Sequence, residues 1–381
     1  MKALIVGDSC GALAAARELG RAGWTVGIGS PSRLGLAAVS RWSSHWHRVP
    51  EPLGVLEDFL GAINTATRTH EYEVVFGRGD AEVLALSAHR ARVVPRVPYA
   101  PHHCVVRGFD KLHLVEVAHK AALSTPLTRL ASETSVGEFD LPVVVKARLH
   151  WTPGKANQRT RVSPFVAYSR EEALHQAARM RSVGADPLFQ ERVSGEVLHF
   201  VVLTDEKHRI VSRLLHLTTR LGSSESGQSA RAHTISVDDV LEEKVQEFLA
   251  ELSWFGLVDL QFRVSNAGEP LLMDFNGRMY GIQALANACG MGAMDTWARL
   301  ATGRQATPSK PRTDVRYQAL EGDLKHAISR PGARRVFGVV GCLVYAFRAV
   351  HPIMSWSDPL PVLAYLARTA RRIWQRLRKD S

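Results

Sequence analysis

The chain has 381 residues and a mass of 42.0 kDa, with 45% apolar and 22% charged residues. At about 150 residues per domain this predicts two or three domains with ordinary cores, and it excludes a disordered or fibrous chain. The formal charge of +11 is uneven: from Lys310 onward there are 14 Lys or Arg against 5 Asp or Glu, and before it 34 against 32.

In chain order, residues 3–6 read as a strand, 12–23 as a helix and 24–28 as a second strand, a βαβ opening. Gly7-x-x-x-Gly11 between them misses the GxGxxG fingerprint, and no acidic residue closes the second strand. A Rossmann-like structural domain is therefore expected rather than an NAD site. The apolar start runs straight into Asp8 and a Gly-bearing turn, which suits a strand and not a signal peptide. A helix over 54–68, a strand over 72–76 and a helix over 81–89 follow, and the proline-rich run 95–101 ends the unit. Next come a helix over 108–122, a strand over 142–146, a helix over 170–183 and a strand over 188–193. Strands over 197–203 and 209–217 form a hairpin around 204–208, and polar 218–229 reads as a loop. A helix over 237–252 precedes strands over 256–264 and 270–275. After a linker at 307–311, two helical stretches flank Trp356 to Pro361.

The longest apolar run, 336–347, has about a dozen residues, short of the roughly 20 that span a bilayer. Cys10, Cys104, Cys289 and Cys342 form no CxxC pair, which predicts free thiols and the cytoplasm. His45-x-His47 and His102-His103 lack carboxylate companions at ligand spacing, so zinc is not expected there.

The stretch richest in chemistry is 256–278. Its two strands run antiparallel across a Gly turn, and alternation puts Asp274, Asn276 and Arg278 on one face, with Met273 and Phe275 on the other. Asp259 and Gln261 share a face of the preceding strand. Carboxylate and amide oxygens from paired strands suit Mg²⁺, a hard cation that keeps waters and takes phosphate oxygens. A solvated hairpin with polar teeth has the same pattern.

The spacing of Gln261, Asp274, Asn276 and Arg278 resembles the metal hairpin of the ATP-grasp superfamily. That hairpin usually ends Glu-x-Asn-x-Arg, and its carbamoyl phosphate synthase branch has a Gln on the preceding strand. In the family's order, Phe109-Asp110-Lys111 resembles its Asp-Lys entry motif and Val143-Val-Val-Lys146 its nucleotide lysine strand. Phe189-Gln-Glu191-Arg-Val-Ser-Gly-Glu196 resembles its adenine hinge followed by a ribose acid. The likeness covers about residues 96–305. Two departures stand out: Asp274 is shorter than the usual Glu, and 150–159, where a Gly-rich flap is expected, holds one glycine.

The resemblance implies an α/β and α+β fold in three parts. These are a Rossmann-like pre-ATP-grasp domain at 1–95, an ATP-grasp domain of two α+β subdomains at 96–308, and a helical, basic C-terminal extension at 309–381. It also implies roles for the residues. Lys111 and Lys146 would meet phosphates as movable ammonium charges. The backbone of Glu191, Arg192 and Val193 would read adenine, and Glu196 would accept ribose hydroxyls. Gln261, Asp274 and Asn276 would hold one or two Mg²⁺, with Mn²⁺ as a substitute. Arg278 would pair with the transferred phosphoryl group or the substrate acid. Asp274, Asn276 and Arg278 are thus the catalytic candidates. Arg220, Ser224 and His233 are candidates to meet the acceptor or the acid, and Lys155 and Arg159 to cover the phosphates in place of the flap glycines.

More narrowly, Ser40-Arg41-Trp42 with Val49-Pro50-Glu-Pro52, the Arg/Gly/Ser loop, and the tail's Leu320-Glu-Gly-Asp323-Leu and Trp356-Ser-Asp358-Pro-Leu-Pro361 resemble a bacterial group of predicted carboxylate-amine ligases. The expected function is cytoplasmic ATP-dependent ligation of a small carboxylic acid to an amine through an acyl phosphate, releasing ADP and phosphate. Such chemistry needs no protein nucleophile, in keeping with the lack of a Ser/His/Asp or Cys/His signature. The alternative is an ATP-binding regulatory or scaffold protein that kept the fold without turnover. Expected partners are the acid and the amine, with a homodimer and a weak membrane-surface contact through the basic amphipathic stretch 368–379; the commoner alternative for that stretch is a solvated terminal helix that packs Ile373, Trp374 and Leu377. No nucleic acid is expected.

Overall fold

A computed structural model of the protein describes residues 1–149, 163–222, 229–306 and 309–377. The N-terminal unit comprises β1 (Lys2–Val6), α1 (Cys10–Arg21), β2 (Thr25–Ser30), β3 (His45–Arg48), α2 (Leu56–His70), β4 (Val74–Gly77) and α3 (Asp80–Ala88). Its four strands are all parallel, in the order β3-β2-β1-β4. The Ser9 hydroxyl accepts a hydrogen bond from the Ala12 amide at 3.1 Å and so starts α1. The helix then buries Ala12, Ala14, Ala15 and Ala16, small enough to let it lie close to the sheet.

The next segment holds α4 (His102–Phe109), α5 (Lys111–Lys120), β5 (Thr128–Leu130), β6 (Val143–Ala147), β7 (Phe165–Ala167), α6 (Arg170–Ser182) and β8 (Pro187–Glu191). The strands β5 to β8 form an antiparallel sheet, ordered β5-β8-β6-β7, with α6 packed on it. The single helix expected over 108–122 is in fact two. Asp110 leaves helical geometry and its carboxylate caps α5 at the Leu112 amide (3.0 Å), so Gly108 and Phe109 end the preceding helix instead.

The rest of the chain is β9 (Val197–Thr204), β10 (Ile210–Leu221), β11 (Ser229–Ile235), α7 (Asp239–Glu251), β12 (Gly256–Val264), β13 (Pro270–Asn276), α8 (Gln283–Cys289), α9 (Ala293–Ala301), β14 (Arg316–Gln318), α10 (Leu320–Ile328), α11 (Ala333–Ala346), β15 (Ala349–Val350) and α12 (Leu360–Leu377). A seven-stranded sheet runs β13-β12-β9-β10-β11-β14-β15. Residues 218–221 and 229, expected in a loop, belong to β10 and β11. The tail holds three helices rather than two helical stretches, and its two short strands extend the large sheet.

Apolar packing divides the molecule into a body and a small lobe. One core, including Leu4, Trp254 and Trp297, runs continuously through the N-terminal unit and the seven-stranded sheet. A separate core around Val143, Val145, Ala177 and Phe189 fills the lobe of β5 to β8 and α6.

Two fully buried carboxylates fix the tail to the body. Asp358 accepts from Arg17 Nε (2.9 Å), Ser40 Oγ (2.7 Å) and the Arg41 amide (2.9 Å). Asp323 accepts from the side chains of Arg220, Arg231 and Gln318. The motifs at 40–42 and 356–361 therefore meet in space across 318 residues of sequence, as a structural clamp.

Candidate functional site

Where the small lobe closes on the body, β6 delivers Lys146 and the first turn of α5 delivers Lys111, both nearly buried. Asp110 organises this junction. Besides capping α5, it grips Arg148, just past β6, with Nε 2.8 and 2.9 Å from its two carboxylate oxygens. The two lysines share a cleft with Thr125, Gln190, Met273 and Asp274. Lys111 Nζ lies 3.7 Å from Asp274 Oδ1, and Lys146 Nζ donates to the Met273 carbonyl at 3.1 Å. Burial, reinforced by the like charge of Lys111 and only partly offset by Asp274, pushes the Lys146 ammonium down to about 7.

The register of the large sheet sets the oxygen donors beside this cleft. Asp274 stands opposite Gln261 and Asn276 opposite Asp259, so all four side chains share one face. Arg278 is held on both sides: it pairs with Asp80 at the start of α3 and donates to Asn276 Oδ1 at 3.0 Å. Burial alone would lower its pKa, but the carboxylates of Asp80, Asp274 and Asp259 raise it. The Arg278–Tyr280 loop seats directly on the N-terminal unit, where a Cβ on Gly11 would come within 2.7 Å of the Tyr280 carbonyl oxygen.

Neither a protein-family model nor a curated protein matches the chain. Solved structures do match. The biotin carboxylase domain of 2-oxoglutarate carboxylase from Hydrogenobacter thermophilus, solved with MgADP, ADP and bicarbonate, has a TM-score of 0.66 at 14% identity, covering 83% of this chain and 73% of that one. N5-carboxyaminoimidazole synthetase from Staphylococcus aureus has a TM-score of 0.65 at 12% identity, covering 84% and 82%. L-amino acid ligase from Bacillus licheniformis has a TM-score of 0.61 at 13% identity, covering 83% and 78%. The chain has the ATP-grasp fold.

Within this ATP-grasp fold, the residues singled out in the sequence fall into three groups. Lys111, Lys146, Gln261, Asp274, Asn276 and Arg278 converge at the lobe junction. Glu191 ends β8, and Arg192, Val193 and Glu196 lie on the connection from it to β9. There Gly195 has φ +132°, and a Cβ on it would collide with the Val264 carbonyl oxygen at 2.0 Å, so only glycine lets the connection pass that close to β12. The Glu191 carboxylate accepts from the Leu127 amide at 3.2 Å, while Glu196 is exposed. The third group holds the candidates for the acceptor, the acid and the flap. Arg220 is committed to Asp323 and braces the tail, which corrects its reading as a substrate contact. His233 pairs with Leu217 and Arg316 on the sheet face opposite Thr234. Lys155, Arg159, the flap at 150–159 and Ser224 lie outside the described residues, as do the side chains of Ile373 and Leu377.

Sequence reasoning missed Asp80, His199 and His216. His199 Nδ1 is 2.9 Å from Asp259 Oδ1, and its ring stacks on His216 at 4.6 Å. With Asp259 these histidines form the one His/Cys/Asp/Glu group close enough to hold a metal ion among the described residues. His45 and His47 instead cluster with His70 and Tyr72, and His102 meets Ser87. His216 has neither ring nitrogen hydrogen-bonded among the described residues, and burial drives its pKa well below the ordinary value, which favours the neutral ring. The Tyr280 hydroxyl and both amide atoms of Gln283 are likewise buried without a hydrogen-bond partner among the described residues.

Proposed function

We propose that the protein is an ATP-dependent ligase that joins a carboxylic acid to an amine through an acyl phosphate. The observation that carries this reading is the convergence of Lys111, Lys146 and Asp274 in one cleft between the lobes, beside a row of carboxylate and amide oxygens. Two buried ammonium groups facing one carboxylate leave positive charge that a polyphosphate would neutralise. The connection 191–196 supplies backbone groups for adenine and the exposed Glu196 for ribose. The solved neighbours support nucleotide use, since the biotin carboxylase domain was determined with MgADP and the S. aureus enzyme also with ADP.

Gln261, Asp274 and Asn276 fit Mg²⁺, because each offers a hard oxygen from one face of adjacent strands. A magnesium ion there would neutralise charge on the β and γ phosphates. Arg278, fixed by Asp80 and Asn276, presents a permanent cation to the phosphoryl group in transit. The acid's carboxylate oxygen bonds to the γ phosphorus as ADP leaves; the amine nitrogen then bonds to the carbonyl carbon, giving up one proton to solvent, as phosphate leaves. Tyr280, Gln283 and His216 carry buried polar groups with no hydrogen-bond partner among the described residues, which makes them candidates to meet a polar acceptor. Four free cysteines suit the cytoplasm as the site of this reaction.

Lys146 supplies the test of the nucleotide site. Its proton is loosely held because burial and Lys111 outweigh Asp274, so a polyphosphate should restore the charge. Binding is then expected to take up a proton above about pH 7, and affinity to fall as pH rises further. Titration calorimetry of MgATP in buffers of different ionisation heat reads that proton. Lys146→Met should abolish the uptake and weaken binding by about ten- to a hundredfold, on the scale of the roughly 1.5–3 kcal/mol of a charge-assisted bond. Unchanged affinity would remove Lys146 from the site.

Gln283→Leu tests the acceptor candidates. It deletes two buried unpaired groups, so the free protein should become more stable, while the acceptor's KM rises by about tenfold and ATP affinity holds. An unchanged KM would place the acceptor elsewhere.

A further inference from the structure

The helix α11 is turned the wrong way round for a surface helix. Its inward side carries Gly338, where a Cβ would stand 3.2 Å from that of Ala327, and the buried Cys342. Its outward side carries Val336, Phe337, Val340, Leu343, Val344 and Phe347, all exposed, with Phe347 at 92%. Spacings of three, four and seven put these side chains on one continuous stripe. A stripe of this kind normally faces a core, and one left in water marks an interaction surface. Trp356, just beyond β15, is fully exposed as well.

The charge around the stripe says what covers it. From Leu324 to Lys379 there are eleven Lys or Arg and one acid, the buried Asp358. Arg330, Arg334 and Arg335 flank the start of α11 and Arg348 its end, all exposed and none in an ion pair among the described residues. Arg334 and Arg335 sit in the first turn, where the helix dipole disfavours cations and no acid offsets them. A second copy of this face would bring arginine against arginine. A nucleic acid would leave the apolar stripe uncovered. An anionic lipid surface satisfies both the stripe and the arginines.

We infer that α11 docks flat on a bilayer rich in anionic headgroups. The stripe enters the boundary between headgroups and acyl chains, and the flanking arginines meet lipid phosphates. The helix lies on the bilayer and does not cross it: its 14 residues extend about 21 Å against a hydrocarbon thickness of about 30 Å, and no described helix is long and apolar enough to span. This surface is independent of the ligase reading.

Flotation of the full chain tests it, with vesicles of phosphatidylcholine alone and with about one-third phosphatidylglycerol. The protein is expected to float with the anionic vesicles, to stay behind with the neutral ones and to be released by high salt. Phe337→Glu with Phe347→Glu should abolish flotation, and Arg334→Glu with Arg335→Glu should weaken it at least about tenfold. All four side chains are exposed, so the melting temperature should not move, and MgATP binding controls for a folded nucleotide site. Wild-type protein that never floats overturns the inference, as does flotation that survives both double variants. A concentration-dependent dimer lost in the phenylalanine variant, without vesicle binding, would assign the stripe to a second copy and equally overturn it.

Discussion

Asp274→Asn is expected to stop metal-dependent ADP release, lowering it by at least about two orders of magnitude. The carboxylate is the one anionic oxygen donor among Gln261, Asp274 and Asn276, and it also faces Lys111. Removing its charge would weaken the hold on the proposed magnesium ion, whose charge stabilisation in phosphoryl transfer is worth several kcal/mol, at about 1.4 kcal/mol per tenfold. ATP without metal should still bind, because Lys111 and Lys146 remain. The measurement is coupled detection of ADP over a panel of acids and amines, with calorimetry of ATP binding alongside. Turnover equal to wild type would move the metal away from this hairpin. Wild-type protein that binds ATP but releases no ADP with any pair would favour the regulatory reading.

The second large effect concerns stability. Asp358→Ala should destabilise the fold by about 3–5 kcal/mol, the cost typical of leaving a buried partner charge uncompensated. Arg17 is 5% exposed and would keep only the carbonyls of Ile353 and Asp358 as acceptors, while Ser40 and the Arg41 amide lose theirs. Against a total of about 5–15 kcal/mol this should shift the urea midpoint far to the left. A loss under about 1 kcal/mol would mean that the tail is not clamped at this point.

The parts of the molecule legible in sequence were those set by local rules. β12 and β13 could be read because two alternating strands about a Gly turn fix which side chains share a face. The lysine strand was short and β-branched, and Asp110 announced a helix start even though the helix before it hid the break. The rest depended on distant pairings. Nothing near Arg278 points to Asp80, which lies 198 residues earlier and in another unit. Nothing near Ser40 or Arg220 points to the tail carboxylates that bind them. His199 and His216 become cross-strand neighbours only through a register shift in β10 between Ile210 and Ser212, and a simple count outward from the turn misses it. β14 and β15, at three and two residues, are too short to show a period at all.

The division into two apolar cores has a mechanical consequence. Because the small lobe packs its own interior, swinging it away from the body need not uncover either core. The ties named between the lobe and the body are polar or ionic: Lys146 to the Met273 carbonyl and Arg148 to Asp110. A jaw latched by such ties opens with little change in heat capacity, since that change follows apolar exposure. Its opening equilibrium should respond strongly to ionic strength and to phosphate, and weakly to temperature.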